Sequence, residues 1–187
     1  MYVGGRGYIK MGDGYSYYYS LTDLRAHGTI TVGGTSYATT GISWLDHQWG
    51  RWTWQTIRGW TWMALQLGNG VQLSVFDFRS TRSHVKAASV LQANGRLLTL
   101  GRTTITSTGK WRSPHSGAVY PSGWIVTIPR VHATLHVTPT VKDQEVTAPG
   151  QLRISYWEGS GRIRGTYQGQ PVTGLSYTEL TGYAGTV

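Results

Sequence analysis

Cysteine is absent from the 187 residues, which rules out disulfide staples and thiolate metal sites and leaves the redox compartment open. Acidic residues are scarce, 8 against 17 Lys plus Arg, and give a net charge of +9. Charged residues reach only 13% of the chain, too few for a disordered segment or a coiled coil. No apolar run reaches the length of a membrane-spanning helix, and no transmembrane segment is expected. Met1 to Gly7 lacks the apolar centre of a signal peptide, so the expected location is cytoplasmic. A Gly-rich phosphate loop, a Ser-His-Asp order and a nucleophile elbow are also missing, and no cofactor is expected.

The positive balance would suit nucleic acid or an anionic membrane if it were concentrated. The arginines instead stand singly, from Arg25 and Arg51 through Arg102 and Arg130 to Arg164, the pattern of a solvated surface. Nucleic acid is therefore not the expected partner. The six histidines are equally dispersed. His132 and His136 sit on one strand at a spacing of roughly 13 Å, at about 3.3 Å per residue, which argues against a metal site.

What the chain does have is glycine and aromatic residues: 26 Gly, 12 Tyr and 9 Trp. Short aromatic and β-branched runs punctuated by glycine indicate an all-β protein. Tyr15 to Thr22 alternates Tyr15, Tyr17, Tyr19 and Leu21 onto one face. Gly33-Gly34 closes a hairpin between Gly28–Val32 and Thr35–Ala38. Further hairpins join Trp60–Leu67 to Val71–Phe78 through Gly68-Asn69-Gly70, and His84–Leu91 to Arg96–Leu100 through Asn94-Gly95. Trp124–Ile128 and Val131–Val137 flank a Pro-Arg turn, and Leu152–Glu158, Gly161–Tyr167 and Val172–Leu180 finish the chain. About ten antiparallel strands with no amphipathic helix would remove their exposed edges by closing into a barrel. Residues 1–14 are expected to be a lead-in, and 15–187 a single domain.

With so few acids, one lying within an aromatic strand stands out. Between Ile42 and Gln48, alternation brings Trp44, Asp46 and Gln48 together on one face, and His47 with Trp49 on the other. If the first face is interior, desolvation beside indole should raise the Asp46 pKa and make it a general acid. Tyr156 and Glu158 repeat the pairing far along the chain. The competing reading makes Asp46 and Glu158 structural acceptors and the tryptophans core. On the first reading Glu158 is a second acid or base, and Tyr17, Tyr19, Trp49, Trp62 and Tyr156 join Trp44 and Gln48 as candidate binding surfaces.

Six ordered blocks carry a resemblance: Tyr17 to Thr22, Trp44 to Gly50, Trp111-Arg112-Ser113-Pro114, Tyr120 to Trp124, Tyr156-Trp157-Glu158-Gly159 and Gly182-Tyr183. Together they resemble the carotenoid 1,2-hydratase and AttH-like family over about Tyr15 to Gly185. The resemblance implies an antiparallel lipocalin-like β-barrel around an apolar cavity. It also implies a hydratase, isomerase or cyclase acting on an isoprenoid or polyene-like molecule, fungal relatives including cyclases that guide Diels–Alder reactions. Non-catalytic carriage of a hydrophobic ligand in the same cavity is the alternative. In the hydratases an aspartate in a Trp-containing strand is held to protonate the alkene; Asp46, with Trp44 beside it, matches that position. Family members usually have two lipocalin-like halves, and this chain resembles the second. Either the single barrel suffices, or a second copy of the chain, forming a homodimer, supplies the missing wall.

Overall fold

Alternation of this kind is realised as fifteen strands in a computed structural model that describes residues 1–11, 13–147 and 155–185. The first three form a small antiparallel sheet: β1 (Tyr8–Met11), β2 (Gly14–Val32) and β3 (Thr35–Arg51). The hairpin expected around Gly33-Gly34 is only the tip of this pair. Both glycines have positive φ, +56° and +82°, as a two-residue turn matched to strand twist requires. From Arg25 to Ala38 every residue is exposed, so the β2–β3 hairpin projects as an arm beyond a register shift between Leu21 and Leu24. The expected lead-in is woven into the same sheet: Val3 is fully buried, and the Met1 amino group donates to the Ser20 carbonyl oxygen at 2.6 Å.

The second sheet has ten strands. Its first half comprises β4 (Ile57–Leu67), β5 (Gln72–Ser80), β6 (His84–Leu91) and β7 (Leu97–Leu100). Beyond β8 (Thr104–Ser107), the short hairpin β9 (Lys110–Arg112) and β10 (Val119–Pro121) stands apart. The remainder are β11 (Trp124–Ile128), β12 (Ala133–Pro139), β13 (Glu145–Thr147), β14 (Ser155–Tyr167) and β15 (Gln170–Thr181). The order is β7-β6-β5-β4-β15-β14-β12-β11-β8, with β13 beside the start of β14. Leu152 to Ile154, read from the sequence as strand, lie outside the described residues. The sheet curls strongly into a half-barrel, all-β as the strand pattern anticipated and lipocalin-like as the resemblance implied. No helix among the described residues is long and apolar enough to cross a membrane.

Parity decides which side of this sheet is filled. Met63, Leu65 and Leu67 of β4 join Leu73 and Val75 of β5, Val126 of β11, Leu135 of β12, Ile163 of β14 and Leu180 of β15 in one buried cluster. Side chains from the whole width of a sheet can meet only on the concave side of its curl. Each buried aliphatic there contributes about 1.5–3 kcal/mol relative to exposure. The inside of the half-barrel is thus a packed core, and the opposite parity is left to line something else.

One end of the core is latched by the Ser-Pro loop. Ser113, Ser116 (2.5 Å) and the Tyr120 hydroxyl (2.8 Å) all donate to the Glu145 carboxylate. Tyr120 is fully buried, stacked on Trp111 at 6.1 Å and packed near Tyr183 at 5.9 Å. Burial pushes the Glu145 carboxyl up, but the three hydroxyl donors and nearby His115 outweigh it and hold it below the ordinary glutamate value. A folded-state pKa below the unfolded one gives stability that is present above the unfolded pKa and is lost as pH falls through the folded one. Glu145→Gln is therefore expected to cost about 1–3 kcal/mol in urea unfolding at neutral pH. The difference from the parent should shrink as pH falls below about 4.3; a cost independent of pH would deny the latch its charge.

Candidate active site

The parity left over by the core forms a cavity. A space of about 340 Å³ lies between the three-stranded sheet and the outer face of β4, β5, β6 and β15. Its floor follows from the registers. Val85, Phe78 and Trp60 stand opposite one another on β6, β5 and β4. One step along, Phe76, Trp62, Glu179 and Glu158 form a second row across β5, β4, β15 and β14. The roof is Ile9, Lys10 and Met11 of β1, Tyr18 of β2, and Asp46 and Gln48 of β3; Trp52 and Trp54 close the side.

On β3, the Asp46 Oδ1 atom accepts hydrogen bonds from the Ser20 hydroxyl at 2.5 Å and the Trp44 indole N–H at 2.8 Å. Trp44 in turn meets Trp62 edge-on at 6.1 Å between ring centroids. Ser20 is buried and directly opposite Asp46 in the β2–β3 register, so the strand pairing itself fixes the carboxylate. The Gln48 amide rests on the Met11 sulfur at 3.6 Å. Burial and the Asp46 carboxylate push the phenol of Tyr18 far up, keeping it neutral.

Across the cavity, Glu179 is half-buried. Burial raises its pKa; the Trp60 indole and the Thr181 hydroxyl, the latter at 3.3 Å, pull the other way, and the carboxylates of Glu158 and Asp46 add to the rise. The net direction is up. Glu158 is likewise raised, chiefly by burial, with Tyr156 opposing. The result is two carboxyls biased toward the acid form on β14 and β15, facing a hydrogen-bonded Asp46 on β3 inside aromatic walls. Among the described residues no three His, Asp or Glu side chains gather as a metal centre.

Of the residues singled out in the sequence, Asp46, Gln48 and Trp62 line the cavity, Trp44 touches both Asp46 and Trp62, and Glu158 with Tyr156 flanks Glu179. Tyr17, Tyr19 and Trp49 do not line it. Alternation turns them to the outer face of the small sheet, where they form an aromatic ladder with His47, Tyr8 and Tyr15. Trp49 is 46% and Tyr17 43% exposed. The supposed burial of Asp46 also needs correction: its residue is exposed, because β3 is the edge strand of its sheet. The desolvated acid is Glu179, which lies within the expected strand Val172–Leu180. The scarcity of acids that drew attention to Asp46 and Glu158 applies equally to it.

The AttH-like family model matches residues 1–183. This chain belongs to the AttH-like family. An AttH homologue from Nitrosomonas europaea superposes with a TM-score of 0.84 at 31% identity, covering 98% of this chain and 58% of that one. Kievitone hydratase from Nectria haematococca superposes with a TM-score of 0.83 at 24% identity, covering 96% and 57%; at that identity the likeness is one of fold. The AttH-like chain thus spans less than three fifths of the length of either solved relative. Among curated proteins none matches it.

Proposed function

We propose that this AttH-like chain is a hydratase-type enzyme that adds water across a carbon–carbon double bond of a bulky, largely apolar molecule, isoprenoid or polyene-like. Fold alone carries no reaction; the supporting observation is the half-buried Glu179 across an aromatic cavity from the ordered Asp46. A structural neighbour named a hydratase agrees with that chemistry. The sequence pointed to Asp46 as acid; the geometry favours Glu179 as the proton donor and Asp46 as the base.

In the proposed step the alkene π pair takes the Glu179 proton, forming a C–H bond and leaving the positive charge on the more substituted carbon. The faces of Trp60 and Trp62 stabilise that charge. Water attacks the cation to form the C–O bond and gives a proton to Asp46, whose Oδ1 is held by Ser20 and Trp44. Proton return from Asp46 to Glu179 through solvent closes the cycle. The lining residues Asp46 and Gln48 are exposed, which leaves that side of the cavity open. A second copy of the chain covering that side belongs to the proposal, and native mass spectrometry should show a mass of two chains; a monomer would remove it.

The test is incubation of the protein with isoprenoid alkenes in oxygen-labelled water, reading incorporation of one heavy oxygen. Asp46→Asn is expected to slow that incorporation by about tenfold, below the usual contribution of about 10²- to 10⁴-fold for acid–base catalysis because water can reach this carboxylate directly. Unchanged turnover in this variant would remove Asp46 from the mechanism. Conversion without heavy oxygen would instead indicate isomerisation or cyclisation by proximity and orientation in the cavity. Quenching of tryptophan fluorescence with no conversion of any alkene would leave a carrier of hydrophobic ligands.

A further inference from the structure

The walls of the cavity have a charge character that a neutral alkene does not require. Seven lining side chains, Trp60, Trp62, Phe76 and Phe78 among them, are aromatic, and aromatic rings present negative faces. Asp46 and Glu179 are in the same lining, with Glu158 beside Glu179 across the ladder. Three of the 8 acidic residues of the chain therefore meet at one place. Among the described residues Lys10 is the only Lys or Arg on the lining. A protein of net charge +9 thus gathers carboxyl groups at its cavity, and each one that ionises sets the local field against that of the surface.

At the rim of the cavity, the outer face of β15 and β14 runs on from Glu179 to its ladder partner Glu158. Glu158 lies there with Tyr156, two residues before it on the same face, and Tyr177, two residues before Glu179. Burial and interaction with both Glu158 and Glu179 raise the phenols of Tyr156 and Tyr177, which places these four side chains in one electrostatic group. A carboxylate between aromatic rings, next to an apolar hole, is the arrangement that recognises an ammonium group.

We propose that the cavity takes an organic cation: an apolar body lodged against Trp60, Trp62 and Phe76, with a protonated amine or quaternary ammonium group on Glu158 between Tyr156 and Tyr177. This deepens the function proposed above, resting on the same cavity and narrowing its substrate class. It gives the three carboxyls separate roles, Glu179 as acid, Asp46 as base and Glu158 as counter-ion. The groups facing Glu158 are Glu179 and Tyr177 on β15 and Tyr156 on β14, with Asp46 on β3 and Lys10 on β1 farther round the cavity. Burial biases Glu158 toward its neutral form, and a bound cation favours the ionised one. Affinity for the cation should therefore rise as pH rises through the Glu158 titration.

Tryptophan quenching of the full chain by benzyltrimethylammonium, against its uncharged isostere neopentylbenzene at equal ionic strength, tests the idea. The cation is expected to bind at least about tenfold more tightly near pH 8. That preference should contract near pH 4.5, within about the ordinary glutamate range, and in Glu158→Gln at either pH, while affinity for the isostere stays unchanged. Equal binding of the two probes, no quenching by either, or a preference that survives Glu158→Gln would overturn the proposal. Cation preference in a protein that hydrates no alkene would sink the hydratase reading and leave this one standing. Turnover of neutral alkenes without cation preference would do the reverse.

Discussion

Glu179→Gln is expected to lower hydration turnover by about 10²- to 10⁴-fold while leaving the protein folded and more stable than its parent at neutral pH. The two effects have one cause. Burial and the neighbouring carboxylates raise the Glu179 pKa above its unfolded value. The stability this group contributes is therefore fully present below the unfolded pKa and is lost as pH rises through the folded one. Gln keeps the neutral shape and escapes that loss, so its unfolding midpoint in urea should exceed the parent's at neutral pH and match it in acid. Parent activity should decline as pH rises through the same titration, since only the protonated form delivers a proton. A variant that is inactive because it is unfolded would show the opposite stability change. A variant that is stabilised and fully active would remove Glu179 from the chemistry.

The contrast between Glu179 and Asp46 also shows what the sequence could and could not carry. Alternation correctly joined Trp44, Asp46 and Gln48 on one face and separated them from His47. It could not say whether that face looks into the half-barrel or away from it, because period 2 fixes parity and not the side. The core took the parity of Met63 and Leu65, while Trp60 and Trp62 were left to the cavity. Turn chemistry was legible at Gly33-Gly34 and Asn94-Gly95, since the constraint is local. The merging of four expected pieces into β2 and β3 was not, because strand length there is set by continued mutual pairing of the hairpin down to Tyr15 opposite Arg51, which no single segment shows. Tyr17 and Tyr19 mislead for a related reason: an aromatic row reads alike whether it lines a cavity or forms a ladder open to solvent. The Trp111 and Tyr120 blocks, recognisable but without an assigned role in the sequence, close the Glu145 latch.

Gly59→Ala is expected to destabilise the protein by about 3–5 kcal/mol, and the cause is backbone rather than packing. Gly59 has φ +126°, where a side chain is strained, and a Cβ there would sit 2.2 Å from the Thr181 carbonyl oxygen. Gly182 faces it with φ +85°, and its own Cβ would lie 2.3 Å from the Arg58 carbonyl oxygen. The two chains cross so closely that neither position can grow without moving the other. This crossing is where the β4–β15 ladder begins, with Trp60 opposite Thr181, and a register shift in β4 between Ile57 and Gly59 accommodates it. Gly95 provides the control, with a φ that is also positive, +83°, but open space around it. Gly95→Ala should cost only about 1 kcal/mol from strain. At about 2–4 °C per kcal/mol for a chain of this size, the two variants should differ by roughly 5–15 °C in Tm. Equal losses would mean that β4 and β15 can separate freely here. If they cannot, Gly59→Ala must also displace Trp60 and Glu179, so whatever turnover survives in the folded fraction should fall with the stability.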